Sequence, residues 1–491
     1  MLKTFVRDSA IYGMLRILTS GMGVLLLPLY TRLLRPAEYG VVDLVTISSA
    51  ILTTIVTVEI AQGMARYYAS AQSPEERAGY ASTTFWFTAG AFSLVVAAVS
   101  IAAPQLSRLV ASDERFATAI RIASLAVAGQ AMLYVVLTAL RYALRPWSYA
   151  VGSLVFSAAS ISGAVLFVRT FRMGVEGVFL AQATACALAL AVALFLSHGD
   201  VGFHFDFPRC RQMLSFSAPL VLSSIGVLSA AYADRFSVRS VLTIAALGVY
   251  AVGARLASAV AVAINAFQTA LSPLIYRHHA EPGAPRQIER IFRWFVAGTT
   301  TVVVFVGAFA GELTRILAGA DYQSAAAIVF FLALASVLSN LYLFAPGLWI
   351  ANRTSTIAML NITFAVCSFT LNLLVVPRFG IRGAAIVSCV VAFCGFTVQL
   401  RLAQRFYHVP YHWPGMIGAA VLLVLFALVV SPLGALPSGA LGLVGRAAIF
   451  LFFSGGLVLI LVGREELRIL LASVKELRLK AASNKPVGLS E

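Results

Sequence analysis

The chain has 491 residues, of which 60% are hydrophobic and only 11% are charged, and its formal net charge is +16. Soluble domains carry about 25% charged residues, so this composition argues against a water-soluble fold and predicts a membrane protein. The excess of Lys and Arg does not indicate nucleic-acid binding, because these residues are scattered through short links and form no basic stripe. Anionic lipid and anionic substrate are the better partners for this charge.

Fourteen apolar runs, each long enough to cross a membrane, follow one another along the chain. A membrane-crossing helix needs about 20 mostly apolar residues, and because lipid offers the backbone no hydrogen-bond partners, each run is expected to be an α-helix. The fold class is therefore predicted to be all-α and polytopic. The predicted spans are residues 9–31, 41–65, 81–103, 117–140, 147–168, 175–197, 212–233, 243–269, 291–311, 323–350, 355–376, 382–401, 415–432 and 443–462.

Spans 1 and 2 are joined by the short charged link "LYTRLLRPAEYG", which runs from Leu29 to Gly40. Arg32 and Arg35 within it favour contact with water, and Pro36 interrupts the helix. The link is therefore predicted to be the tip of an antiparallel helical hairpin. Gly40 would allow close packing where the second helix begins.

Ionisable residues inside the spans are the candidates for a substrate site, because an Arg at mid-helix costs roughly 2.5–3.5 kcal/mol to insert and is usually directed at a partner, a cavity or an interface. Arg16 lies in span 1, Asp43 and Glu59 lie in span 2, and Arg255 lies near the middle of span 8. In one interpretation Arg16 pairs with Glu59 and Arg255 bonds backbone carbonyls. In the other, Arg16 and Arg255 face a central water-filled cavity with Asp43 and Glu59 and hold an anion, since the planar guanidinium suits phosphate.

Other polar and aromatic residues of the spans are assigned to gating, anchoring or sugar contact. Asp234 and Arg235 lie at the end of span 7, where contact with water or a gate is expected rather than substrate binding. Arg121 is near the start of span 4 and is predicted to extend to the membrane interface. Tyr250 is one of several aromatic residues that could stack on sugar rings.

The Cys and His residues do not follow a metal-binding pattern. The sequence has no C-x-x-C, and His278 and His279 are adjacent, so they do not share a helical face as an i, i+4 pair would. No metal site and no cofactor are expected. Asp43 or Glu59 could bind H⁺ or Na⁺ as a coupling ion.

The chain contains a weak internal repeat of about 207 residues. "AEYGVV" at 37–42 resembles "AALGVY" at 245–250, with an offset of 208, and "GVEGVFLAQ" at 174–182 resembles "GIRGAAIVS" at 380–388, with an offset of 206. The two offsets agree and join equivalent spans. Because each repeat contains six helices, an even number, the sequence predicts two six-helix lobes related by a parallel pseudo-two-fold axis.

The repeat divides the chain into two lobes, an appendage and a tail. The predicted parts are 1–203 (spans 1 to 6), 204–405 (spans 7 to 12), 406–463 (spans 13 and 14) and 464–491, a cytoplasmic amphipathic tail. Of the 36 Lys and Arg residues, 21 are assigned to the N-terminal side of the membrane and 12 to the opposite side, and the other three, Arg16, Arg121 and Arg255, lie within spans. The positive-inside rule then predicts that both termini are cytoplasmic.

The hairpin sequence carries a family likeness. "YTRLLRPAEYGVVDLV" is similar to the signature between the first two helices of bacterial polysaccharide-exporting flippases, with an aromatic residue, Thr-Arg, a Leu pair, Pro and Glu-Tyr-Gly. The segment "FVRDSAIYGMLRILTSGMGVLLLPLY" and the six-plus-six repeat fit the same family. Over almost its whole length the chain resembles the Wzx-type lipid-linked oligosaccharide flippases of the multidrug/oligosaccharidyl-lipid/polysaccharide (MOP) superfamily.

This resemblance implies a protein that moves polyprenyl-diphosphate-linked oligosaccharide, of the undecaprenyl-diphosphate type, across the bacterial inner membrane by alternating access. Its product would serve lipopolysaccharide or exopolysaccharide synthesis. We expect a monomer that contacts membrane lipids and associates with the polysaccharide polymerase machinery. Relatives that flip the peptidoglycan precursor carry cavity arginines on helices 1, 2 and 8. Arg16 and Arg255 correspond to these by helix, whereas span 2 here carries Asp43 and Glu59 and no mid-span Arg.

Three alternatives to a flippase remain open at this stage. A multidrug/cation antiporter of the same superfamily would have a dominantly anionic cavity. A membrane polysaccharide polymerase or ligase would carry a long outer loop with catalytic residues, and the longest internal link here, residues 271–290, is only about 20 residues long. A scaffold that has lost transport is the third. The sequence thus favours a transporter and not an enzyme.

Overall fold

The computed structural model describes residues 23–197, 199–278, 281–351, 353–433 and 439–463, and all regular secondary structure in these ranges is helical. Short 3₁₀ or π segments extend or connect the α-helices. The α-helices, labelled in chain order, are α1 (Leu27–Leu33), α2 (Pro36–Thr57), α3 (Ile60–Ser70), α4 (Pro74–Ala111), α5 (Ala117–Tyr142), α6 (Pro146–Gly163), α7 (Gly174–Leu196), α8 (Phe207–Val241), α9 (Ile244–His278), α10 (Ala284–Ala308), α11 (Ala310–Leu317), α12 (Ala326–Asn340), α13 (Gly347–Ile350), α14 (Thr354–Ala403), α15 (Trp413–Leu433) and α16 (Ala440–Leu461).

The predicted class of all-helical membrane protein is confirmed. Twelve helical segments of the described residues are long and apolar enough to cross a membrane. One of them, Ser355–Ala403, has 49 residues and contains both predicted spans 11 and 12. Two helices meet in this segment at Gly380, whose backbone is not helical, with φ 59° and ψ −148°. Most of predicted span 1 lies outside the described residues. The predicted count of fourteen therefore holds approximately.

Several helices begin where the sequence supplies suitable first-turn residues. Pro36, Pro74 and Pro146 each occupy the first helical position of α2, α4 and α6. This position suits Pro, since its missing N–H would have no partner there and its φ is already helical. The Glu38 carboxylate accepts a hydrogen bond of 2.9 Å from the backbone N–H of Arg35, which completes a capping box at the start of α2. These signals set the tight hairpin turn between α1 and α2.

Predicted span 2 is broken into α2 and α3 at two consecutive residues in the left-handed region. Val58 has φ 49° and Glu59 has φ 52°. This conformation is unusual for any residue other than glycine and is an outlier for a β-branched one. Glu59 thus lies at the joint between two helical pieces instead of inside a continuous helix.

The two halves of the chain touch closely at the end of the bundle that carries the link between α1 and α2, here called the first-link side. The closest approach is between α2 and α9. A Cβ atom at Gly40 would lie 2.2 Å from the carbonyl oxygen of Ile244, and one at Gly248 would lie 1.8 Å from that of Pro36. Only the hydrogen side chain of glycine fits at either position, so the predicted close packing at Gly40 has a structural partner in Gly248.

Hydrogen bonds reinforce this contact on the first-link side. The Tyr322 hydroxyl donates to the carbonyl oxygen of Leu34 at 2.9 Å, and the Arg32 guanidinium donates to the carbonyl oxygen of Ile316 at 3.2 Å. Tyr322 is fully buried. The tip of the first hairpin is therefore held by residues that precede α12 in the second half.

On the opposite side of the bundle the halves meet through α3, α4 and the beginning of α8. A Cβ atom at Gly63 would lie 2.8 Å from the carbonyl oxygen of Met213, and the Tyr80 hydroxyl donates to Gln212 Oε1 at 3.1 Å. Span 2 thus contacts α9 and the end of α8 with its first piece, and the beginning of α8 with its second.

The helices after residue 405 share a core with the second half. The ring centroids of Phe330 on α12 and Phe426 on α15 are 5.1 Å apart. Arg446 on α16 is 5% exposed and hydrogen-bonds to Glu312 on α11. Burying an ion pair is favourable only when its partners satisfy each other, so this pair fixes α16 in one position against α11.

Candidate functional site

A cluster of charged side chains lies between α2 and α8, where the two halves meet. Asp43 Oδ2 on α2 is 3.4 Å from Arg235 Nε on α8, and these side chains are only 19% and 17% exposed. Neither of the two atoms has a hydrogen-bond partner among the described residues. The pair is therefore held by charge attraction alone, without the directional bonds that stabilise most buried ion pairs.

Asp234 is held by the second half through several hydrogen bonds. Its Oδ2 accepts from the Tyr250 hydroxyl at 2.5 Å and from Ser388 Oγ at 3.4 Å, and its Oδ1 accepts from the backbone N–H of Arg235 at 2.8 Å. The Arg235 guanidinium lies 3.9 Å from the same carboxylate. Arg235 thus lies between a firmly held Asp234 in its own half and Asp43 in the other half.

The hypothesis that Tyr250 stacks on sugar is wrong. The Tyr250 side chain is fully buried, and its hydroxyl is engaged by Asp234. A ring without exposed surface cannot contact a sugar. Periodicity along the span did not reveal this, since the sequence shows the depth of a residue in a span but not the helix face that packs inward.

Arg255 on α9 is an exposed side chain that approaches the first half. A Cβ atom at Gly23 would lie 2.7 Å from Arg255 Nη1, and the guanidinium is within electrostatic range of the hydroxyls of Tyr30 and Tyr39. Its neighbour Leu256 is buried in the second half. Arg255 therefore projects away from its own core, toward α1 and α2.

The four charged residues of this region balance one another. Asp43 lies within electrostatic range of Arg235, Arg255 and Asp234. Two guanidinium groups thus stand against two carboxylates, and the described part of the region is formally neutral. An anion entering it would have to compete with Asp43 for the guanidinium groups.

A polar face of α2 extends from this cluster toward the joint with α3. Thr46, Thr53, Thr54 and Thr57 lie within about a quarter turn of the direction of Asp43 on a helix of 3.6 residues per turn. Each of the four hydroxyls donates to the carbonyl oxygen four residues earlier, at 2.7–3.2 Å. Their oxygen lone pairs remain available as acceptors. Hydroxyl groups arranged in this way suit a polyhydroxylated ligand.

Glu59 lies just beyond the C-terminal end of this polar face, where α2 meets α3. It is half-buried and makes no ion pair with any described residue. Arg16, the partner predicted for it, lies outside the described residues. The predicted Arg16–Glu59 pair and the predicted role of Arg16 therefore stay predictions.

Sequence reasoning missed two residues of the region. Tyr39 appeared only as part of the hairpin motif, and Ser388 only within a repeat sequence. No signal in a single sequence marks a buried Tyr as a neighbour of Arg255, or a Ser as a hydrogen-bond donor to Asp234. Among the described residues, no group of three or more His, Cys, Asp or Glu side chains is arranged to hold a metal ion.

Comparison with solved structures defines the fold class. The chain resembles the lipid II flippase MurJ in an inward closed conformation, with 14% identity and a TM-score of 0.67 over 92% of this chain and 99% of that one. An inward-facing multidrug resistance MATE transporter of the MOP superfamily gives 15% identity and a TM-score of 0.64 over 80% and 94%. The Vibrio cholerae MATE transporter VcmN gives 18% and 0.54 over 82% and 96%. The fold is therefore that of these MurJ and MATE structures, as predicted.

Comparison by sequence then defines the family. Residues 5–279 match the family described as "Polysaccharide biosynthesis protein". This match covers more than half of the chain, which therefore belongs to that family. No curated protein matches the sequence.

Proposed function

We propose that the protein is a flippase that moves polyprenyl-diphosphate-linked oligosaccharide across the bacterial inner membrane by alternating access. Family membership and the MOP fold support a membrane flippase or transporter that serves polysaccharide synthesis. The observation that carries the proposal is the exposed guanidinium of Arg255, which projects from the second half toward α1 and α2 of the first. A cation kept at that depth in a membrane helix is expected to have an anionic partner.

The chemistry of the region suits a phosphorylated sugar headgroup. Arg255 and Arg235 supply planar donors for diphosphate oxygens, and the Thr hydroxyls of α2 supply acceptors for sugar hydroxyls. Removing a diphosphate from water costs several kcal/mol unless opposite charges compensate it. The polyprenyl tail is apolar and would stay in the bilayer throughout.

The Asp43–Arg235 pair supplies the gate of this proposal. The pair joins the halves on the first-link side, and the headgroup can leave on that side only if the pair separates. A diphosphate bound by Arg235 would replace Asp43 as its partner, so arrival of the substrate would weaken the contact between the halves. Asp43 would then be free to take up H⁺ or Na⁺ as a coupling ion.

Arg255→Ala tests the proposal in a strain whose own flippase gene is deleted. We expect surface polysaccharide to fall to less than about a tenth of the wild-type amount, since loss of a charge-assisted bond to phosphate is worth roughly 1.5–3 kcal/mol. Arg255→Lys keeps the charge but loses the bidentate geometry and should retain part of the export. Immunoblotting of membranes checks that each variant is inserted.

Arg121→Ala is the matched control, because Arg121 is also a span arginine, and its side chain bonds only the carbonyl oxygen of Ser100, at 3.1 Å, among the described residues. This variant should export normally. Full export by Arg255→Ala would refute the anion-binding role of the region. The second candidate function is a multidrug/cation antiporter, and the carboxylates of Asp43 and Asp234 are the observation that supports it. This candidate would be favoured if the wild-type protein exported a drug cation and did not export lipid-linked sugar.

A further inference from the structure

A second candidate binding site lies outside the region between the halves. A cavity of about 390 Å³ opens between the end of α14 and the beginning of α15, on the side opposite the first link. Its volume falls within the range of about 300–1,000 Å³ that is usual for small-molecule sites. Its lining residues are Leu400, Arg401, Gln404, His408, Val409, Pro410, Tyr411 and Trp413.

The cavity carries an arginine that makes no ion pair with the described residues. Arg401 is exposed and forms no ion pair or hydrogen bond with any described residue. His408 is exposed beside it and offers a ring N–H donor. The segment 400–413 contains two Arg, two His and no Asp or Glu. An anionic ligand is therefore the kind that this cavity favours.

The cavity is formed by a rigid turn of the chain. The Gln404 side chain donates to the carbonyl oxygen of Val409 at 2.9 Å and accepts from the backbone N–H of the same residue at 2.9 Å. Tyr411 is buried, and its hydroxyl donates to the carbonyl oxygen of Phe344. Since the turn is fixed by these bonds, a ligand would not have to order it on binding.

An exposed apolar stripe leaves the cavity along α15. Trp413 lies at the mouth with half of its surface exposed, and its amphipathic ring suits the depth of lipid headgroups. Further exposed residues follow at helical spacing on the same face, namely Ile417, Val421, Val424 and Leu428. This combination of a basic cavity and an apolar stripe matches an amphiphile whose anionic head and apolar tail are joined.

We propose that this cavity binds the phosphate group of an anionic membrane phospholipid, with Arg401 and His408 on the phosphate and an acyl chain along α15. A basic residue in the last turn of a helix such as α14 is favourable by itself, because it faces the negative end of the helix dipole. That effect explains the charge of Arg401 but not the cavity or the stripe. The bound lipid would fasten α15 to the end of α14.

Native mass spectrometry of the purified, delipidated full-length chain tests this site. The probes are dioctanoyl phosphatidylglycerol, dioctanoylglycerol, which lacks phosphate, and inorganic phosphate. We expect phosphatidylglycerol to bind, dioctanoylglycerol to bind roughly ten-fold more weakly, and Arg401→Gln to weaken phosphatidylglycerol roughly ten-fold, as loss of a charge-assisted bond implies. Trp413→Leu should weaken the binding of phosphatidylglycerol. Adding Arg401→Gln to this variant should weaken the binding further, by the same factor as in wild type.

Arg405→Gln is the matched control, since Arg405 is exposed on the same segment but does not line the cavity. It should bind phosphatidylglycerol as wild type does. The proposal is overturned if the Arg401 variant binds as wild type, or if both variants lose affinity equally, which would indicate a diffuse charge effect. If inorganic phosphate displaced phosphatidylglycerol at concentrations equal to those of the lipid, the site would be one for soluble phosphate, and the assignment to a lipid would be overturned.

Discussion

At the scale of single residues, the contact between Asp43 and Arg235 is a charged link between the two halves of the chain. Most buried ion pairs are hydrogen-bonded, whereas these two groups lie 3.4 Å apart with no hydrogen bond between Asp43 Oδ2 and Arg235 Nε. A contact of this kind is easier to break than a bidentate one. It suits a group that must change partners during a transport cycle.

Neutralising one partner of this pair should destabilise the protein more than neutralising both. Arg235→Gln leaves Asp43 in a low-dielectric region without its counter-charge, and we expect a loss of roughly 3 kcal/mol in the free energy of unfolding. In the double variant Asp43→Asn/Arg235→Gln most of that loss should be recovered. Thermal unfolding in detergent, analysed as a double-mutant cycle, measures the coupling.

Single losses that simply add in the double variant would show that the two side chains do not interact. Ser240→Ala on α8 serves as the control, because its exposed hydroxyl donates only to the carbonyl oxygen of Phe236 on the same helix. It should leave the free energy of unfolding within about 0.5 kcal/mol of wild type.

The sequence drew attention to charged residues that the structure places in this region, but it did not show how they pair. Insertion cost singles out Asp43 and Arg255 inside spans, whereas Asp234 and Arg235 were expected to contact water or a gate at the end of span 7. The partnership of Asp43 with Arg235 depends on which faces of α2 and α8 meet, and one sequence does not contain that information. Tyr250 illustrates the same limit, since its burial behind Asp234 removes it from the sugar contacts predicted for it.

At the scale of helices, the crossing of α2 and α9 depends on two glycines. Hydropathy predicts that both elements cross the membrane, and the motifs "AEYGVV" and "AALGVY" mark their equivalent positions in the repeat. The crossing brings together Gly40 and Gly248, one from each motif. Small residues at a crossing allow the backbones of membrane helices to approach closely.

Gly248→Ala should prevent this crossing. The added Cβ would lie 1.8 Å from the carbonyl oxygen of Pro36, and a backbone atom cannot rotate away as a side chain can. We expect the first-link side to close poorly, with a loss of roughly 1–3 kcal/mol in the free energy of unfolding and export below about a tenth of wild type. Thermal unfolding and surface polysaccharide measure the two effects.

Gly90→Ala provides the comparison on α4, because a Cβ there meets nothing within 4 Å. It should be neutral or slightly stabilising, as Ala is favoured over Gly by about 1 kcal/mol in a helix. If Gly248→Ala behaved like Gly90→Ala, the close crossing of α2 and α9 would not be required.

Span lengths could be predicted, whereas breaks within spans could not. The length of an apolar run must match the thickness of the bilayer, so these runs give the number and approximate position of the helices. The left-handed residues Val58 and Glu59 carry no local signal, because neither Gly, Asn nor Pro marks the break. Gly380 does offer such a signal, and the predicted boundary between spans 11 and 12 falls beside it.

At the scale of the whole molecule, the halves are joined at both ends of the bundle. On the first-link side the Tyr322 and Arg32 side chains reach backbone carbonyls across the boundary. On the opposite side α3 and α4 contact α8. Alternating access requires that one of these sets of contacts separates while the other holds.

A reversible cross-link on the first-link side should stop transport. In a background free of the five native Cys residues, Arg32→Cys and Ile316→Cys replace two residues joined by a hydrogen bond of 3.2 Å, and both sites are exposed. We expect a short methanethiosulfonate cross-linker to abolish flipping of a fluorescent lipid-linked sugar in proteoliposomes, and a reductant to restore it. Each single Cys variant treated alike should stay active, and flipping that continued in the cross-linked protein would show that this side does not open.

The bend at Val58 and Glu59 divides span 2 into two helical pieces that point in different directions. The first piece, α2, packs against α9 at Gly40, and the second piece, α3, packs against α8 at Gly63. Because α2 also contacts α8 through Asp43 and Arg235, the two pieces share one neighbour, and the bend lets them meet opposite ends of that helix. Because this bend carries Glu59, a carboxylate lies at the point where the direction of span 2 changes.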